Sequence, residues 1–336
     1  MPRQDAIPNG ITPPPVKTSR LPRALRFPLL AIISLSLSIF SYSAAYELLG
    51  YRLGSVSRTL NDSWGPVAFL SARVAELYVG WHMRYDDLDT FSLSLLTQAP
   101  SLYLLHTFYL VPLPTLLVRL GVDSLSVVLP TKLLRPRSAL HNRRAPKTAV
   151  PNRDIIHSPT AVFTTAFLGA TAYAFTLYAA LQSGLTTFLV SHFTVATLEP
   201  AHAATLQLLI ATMLPVGWAA QSFLFTPSFG AQPSAGDAAD AAFNPATATL
   251  AQTVRHNVWG WSKRTKVLVQ QTAVLAALTG SHTTRMAWAN EGTDLVGAAG
   301  YAGVWVLAGL LAGGLFGWVG DVGETKAVKV EEVEEI

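Results

Sequence analysis

Hydrophobic and polar positions in this chain alternate on the scale of whole segments rather than single residues. Apolar runs of about twenty residues, the length a helix needs to cross the hydrocarbon of a bilayer, recur at 27–47, 91–111, 160–182, 203–225, 266–283 and 297–319. Two further runs, 65–81 and 113–131, are nearly as apolar, but each carries an ion pair: Arg73 with Glu76, and Arg119 with Asp123. The connection 226–264 is rich in Ala, Pro and Gly, too polar to span and too weakly patterned to form a second domain. The pattern predicts an all-α, polytopic integral membrane bundle over 27–320, of six or eight transmembrane helices. A Pro-rich basic tail (1–26) precedes it and an acidic, solvated tail (321–336) follows. The run from Phe27 is too long for the apolar core of a cleaved signal, so it is expected to remain as an anchor.

Charge settles the parity of the crossings. Five basic residues (Arg3, Lys17, Arg20, Arg23, Arg26) oppose Asp5 in the first tail. Seven (Lys132, Arg135, Arg137, Arg143, Arg144, Lys147, Arg153) oppose Asp154 in the connection 132–158. A third group, Arg255, Lys263, Arg264 and Lys266, precedes the run at 266. Loops rich in Lys and Arg stay in the cytoplasm, so an even number of crossings separates the first two groups. The runs at 65–81 and 113–131 therefore both cross or both do not, and either solution leaves both termini cytoplasmic.

Composition agrees. Half the residues are hydrophobic and only 13% are charged, against about a quarter in soluble domains. The formal net charge of +4 lies beside the apolar runs, so the expected partner is the lipid bilayer and not nucleic acid. With no cysteine, disulfides, thiolate catalysis and iron–sulfur clusters are excluded.

Thr115, Arg119, Asp123 and Ser126 share one helix face, which makes a polar stripe or a structural clasp. Arg73 and Glu76 repeat the pattern at i,i+3, and the two segments are expected to meet each other. The patch Asp86, Asp87 and Asp89 invites comparison with the aspartate-rich Mg²⁺ sites of membrane prenyltransferases, but its spacing is wrong and it is expected to be a solvated turn. His192, Glu199 and His202 have no metal-site spacing, and His106 is expected to be structural. Gly309, Gly313 and Gly317 form a small-xxx-small face for close helix packing, whether within the chain or in self-association. Trp261 beside Lys263 and Arg264 reads as an interfacial anchor. Asn61 heads the only N-x-S/T sequon, which is non-cytoplasmic in both threadings. No catalytic residue, cofactor or metal site is predicted.

The stretches "LPRALRFPLL" (21–30), "LEPAHAATL" (198–206) and "WGWSKRTKVL" (259–268) resemble a family of multi-pass integral membrane proteins from filamentous fungi. The resemblance implies a membrane protein of the endoplasmic reticulum or another endomembrane, and brings no activity with it. A structural or scaffolding role is the favoured expectation. A small-molecule or proton transporter using the Arg–Asp and Arg–Glu pairs is second, and a membrane-embedded transferase third.

Overall fold

In the computed structural model the described residues are 22–59, 64–146, 148–237, 243–244 and 247–334. The first tail up to Leu21 and the sequon at Asn61 lie outside them. All the regular structure is helical: α1 (Arg23–Ala44), α2 (Tyr46–Gly54), α3 (Trp64–His82), α4 (Asp87–Thr107) and α5 (Leu113–Leu134) form one group. After the connection come α6 (Pro159–His192), α7 (Leu206–Phe229), α8 (Leu250–Trp259), α9 (Lys263–Trp288) and α10 (Leu295–Glu334).

The helices begin where the sequence can satisfy their free N–H groups. Asp86 caps α4 by accepting from Leu88 and Asp89, while Asp89 returns a bond to the Asp86 amide, a reciprocal capping box. Thr205 and Ser262 cap α7 and α9 through single side-chain bonds. Proline in the first turn starts α5 and α6, where its missing N–H costs nothing. Helix α6 is interrupted by a widened turn at Leu181–Leu185. Gly184 sits there at φ 143°, a conformation other residues rarely adopt.

The long helices run alternately up and down, and their ends sort into two groups. At the basic end, Arg135 after α5 donates to the carbonyls of Trp81 and Tyr85 at 2.8 Å. Asn152 reaches Phe229 O, Gln232 reaches Thr148 O and Arg264 reaches Gly320 O. Phe27, near the start of α1, meets Tyr78, near the end of α3. At the opposite end, Arg58 lies against Ala289 and Thr293, Phe108 O accepts from Ala196 and Thr197, and His192 pairs with Asp294. Helices α3 and α5 thus both end at the basic end.

Five helical segments are long and apolar enough to cross a membrane: Ala24–Ala44, Leu113–Leu134, Pro159–His192, Leu206–Phe229 and Leu295–Gly320. The ion-pair run at 113–131 is among them. The runs at 65–81, 91–111 and 266–283 form helices of sufficient length but are too polar to be included. Helix α4 turns Ser92, Thr97, Gln98 and Ser101 inward, and α9 does the same with Thr279, His282 and Thr283. Their polar residues face protein instead of lipid.

The main core joins α4, α6, α7, α9 and α10 around Phe108, Tyr173, Leu189, Phe223, Tyr301 and Phe316. Tyr301 is fully buried, and its hydroxyl donates 2.7 Å to Pro100 O inside α4. Gly217 lets α7 lie against α6; a Cβ there would collide with Ala166 O and the Ala170 amide. Outward, Ile39, Phe40, Leu125, Phe163 and Phe175 are largely exposed, the apolar coat a bilayer requires. Helix α10 continues beyond Gly320 to Glu334.

Candidate functional site: a polar cleft between two ionic clusters

The first cluster lies between α3, α5 and α9. Glu76 accepts from Arg285 at 2.5 Å and contacts His282 Nδ1 at 3.2 Å through one oxygen, and faces Arg73 at 3.4 Å through the other. Arg73 also donates to Asp123 O and Ser126 Oγ on α5, at 3.2 and 3.3 Å, so the two ion-pair segments meet through it. Asp123 accepts from the Tyr42 hydroxyl of α1 at 2.9 Å and stands 3.9 Å from Arg119, which also reaches Met286 Sδ. Three guanidinium groups (Arg73, Arg119, Arg285) thus face two carboxylates (Glu76, Asp123), and the cluster carries an excess positive charge.

A cleft runs from this cluster toward the basic end, past Tyr85, Ser94 and Thr97 to Arg135. Its free space is about 60 Å³, room for several waters given that one needs roughly 10–15 Å³. On α9, Thr279 Oγ1, Thr283 Oγ1, His282 Nε2 and Arg285 Nε are buried without a hydrogen-bond partner. Buried polar atoms are nearly always satisfied by protein or water; these lie on the helix that meets the cleft at Leu278.

The second cluster corrects the expectation of a solvated Asp turn. Asp86, Asp87 and Asp89 are 1%, 6% and 8% exposed. Asp86 is saturated: Oδ1 takes the capping amides, and Oδ2 takes Ser138 N at 2.9 Å and His141 Nδ1 at 2.8 Å. Asp87 holds Arg137 through two bonds, of 3.0 and 2.5 Å. The sequence showed the acidic patch and the basic connection but not that one folds onto the other. Burial alone would raise the Asp86 pKa, but the His141 contact and backbone N–H groups outweigh it and hold Asp86 well below the usual carboxylate range. Arg137 lowers Asp87 against the opposing effect of burial. Asp89 is pushed up to about 7, chiefly by burial. Burial would lower His141, yet Asp86 and Asp89 together raise it.

His192 meets Asp294 at 2.8 Å instead of grouping with Glu199 and His202, and Glu199 is engaged through its amide with Thr197. His106 contacts Val111 O at 3.1 Å. The face of Gly309, Gly313 and Gly317 is covered by Leu275, Thr272 and Leu268 of α9 in the same chain. Arg285 lies past the end of the apolar run at 266–283, yet it belongs to α9. The signal was there: His282 and Arg285 are three apart, on one face with Thr279. Arg135 and His141, counted only as topology markers or not at all, are the other residues missed.

Comparisons with protein-family models, with curated proteins and with solved structures give no match to this chain.

Proposed function

We propose that this protein is a membrane carrier for a small, negatively charged polar solute, built from eight crossing helices with the basic end in the cytoplasm. The observation that carries the reading is the cleft, which runs from Arg73 and Glu76 of the first cluster to Arg135. Ionisable residues inside membrane bundles are costly, and where they occur they mark solute or proton pathways. The excess of guanidinium groups favours an anion, and the Ser and Thr hydroxyls offer orienting hydrogen bonds. The alternation of α3, α4 and α5 supports eight crossings. The 19 residues of α3 rise about 28 Å at 1.5 Å each, close to the hydrocarbon thickness.

A scaffold reading treats the same ion pairs as clasps, with no water reaching them. A unique thiol separates the two, since the chain has no cysteine. Ser94→Cys, in protein reconstituted into lipid nanodiscs, is expected to react with small impermeant methanethiosulfonates. The anionic sulfonatoethyl reagent should react faster than the cationic trimethylammonioethyl one, and Arg73→Ala should erase that preference. A Ser94→Cys protein inert to both reagents removes the carrier reading and leaves the scaffold.

A further inference from the structure

We infer that the basic end holds a binding site for one divalent transition-metal ion of the Zn²⁺ class, with His141 Nε2 and Asp89 Oδ1 as its protein ligands and Asp86 orienting the imidazole. This site is separate from the carrier cleft and does not depend on that reading.

The donor set follows from which atoms are already used. Asp86 has both oxygens occupied by four N–H donors, so it is not a ligand. Its contact with His141 Nδ1 fixes the tautomer that leaves the Nε2 lone pair free. Carboxylates behind metal-bound histidines do the same. Nε2 has no hydrogen-bond partner, and neither has Asp89 Oδ1. The His141 side chain is only 6% exposed, so bulk water is no ready substitute. Asp86, Asp89 and His141 come from two separate segments, yet bring ligand atoms within 4.8 Å of one another.

The distance fits a shared metal ion. Nε2 and Oδ1 are 3.8 Å apart. A protonated imidazole serving that carboxylate would be a hydrogen bond, which does not form at this separation. Two ligands each about 2.1 Å from a common ion stand roughly 3–4 Å apart. One nitrogen and one carboxylate oxygen suit Zn²⁺, Mn²⁺, Fe²⁺ or Co²⁺ better than Mg²⁺ or Ca²⁺.

The test uses the full chain in detergent or nanodiscs. Equilibrium dialysis against micromolar Zn²⁺ should find one ion per chain, and its addition at neutral pH should release protons. His141→Asn and Asp89→Asn should each abolish retention. Asp86→Asn keeps a competent helix cap but loses the orienting charge, and should weaken binding about 10–100-fold. A second measurement covers variants that fold poorly: His141→Cys introduces the only thiol, so Co²⁺ should give a thiolate charge-transfer band that Asp89→Asn alone cannot produce. No retained Zn²⁺, retention unchanged by His141→Asn and Asp89→Asn, or the absence of that band in folded His141→Cys protein overturns the inference. None of these readouts depends on transport, so failure of the metal site leaves the cleft untouched, and the reverse.

Discussion

The two ionic clusters look alike in composition and differ in how they are built. Around Glu76 every partner among the described residues is a side chain, Arg73 on the same helix and His282 and Arg285 together on α9. Around Asp86, backbone amides supply three of the four hydrogen bonds. The first cluster joins local pairs on α3 and α5 to partners on α9 that only tertiary packing brings in. The second grows from a helix N-terminus, where unpaired N–H groups and the dipole already favour a carboxylate. Removing a partner should therefore hurt the first far more than the second.

The largest effect is expected at Glu76. Glu76→Ala strands Arg285, Arg73 and His282 in a low-dielectric interior and should cost about 3–5 kcal/mol, read as a large fall in thermal unfolding temperature in detergent. The double variant Glu76→Ala with Arg285→Met should recover much of that loss, because removing both charges costs less than removing one. A double variant no more stable than the single would mean that the cluster is not held by charge. Asp86→Ala comes next, at about 1–3 kcal/mol for buried donors left unpaired. It should raise hydrogen exchange at the Ser138 amide, with Asp86→Asn milder.

Smaller still is Arg137→Ala. The Arg137 side chain is 44% exposed, and solvent-screened pairs contribute about 0–1 kcal/mol, so a loss beyond that range would place Arg137 in a less solvated role. The least effect concerns Asp294, at the opposite end. Its pKa is lowered by the His192 contact and the Gly297 amide. A depressed carboxylate stabilises above its unfolded pKa of about 3.9 and loses that contribution as the pH falls through its folded value. Amide protection at Gly297 should fall only in acid, and Asp294→Asn should show little pH dependence in that range.

How much of this was legible depended on whether the determining contact was local. The apolar periods gave the long helices, because burial of twenty-residue segments needs no knowledge of neighbours. The Arg73–Glu76 and Arg119–Asp123 pairs were legible because i,i+3 and i,i+4 spacing is local. The partners that complete them, His282 and Arg285, lie more than two hundred residues away in the chain. Asp86 through Asp89 read as a solvated turn because three clustered acids usually are one; Arg137 and His141 folding back over them changes the outcome. The runs of α4 and α9 were legible as helices, but they are less apolar than lipid-facing spans because their polar side chains turn toward protein.

Helix α3 shows what the first cluster does to motion. Leu77 is its only fully buried residue among those described, and its closest backbone approach is to α1. Otherwise it is moored by Arg73, by Glu76 and by the Arg135 contacts at its end. Coulomb attraction between charges about 4 Å apart weakens several-fold as the surrounding permittivity rises from protein-like to aqueous values, whereas contact between apolar surfaces does not. Wetting the cleft therefore loosens the same helix that walls it, and drying it draws that helix back. Hydration and the position of α3 are coupled variables, and a solute that displaces the water acts on both at once.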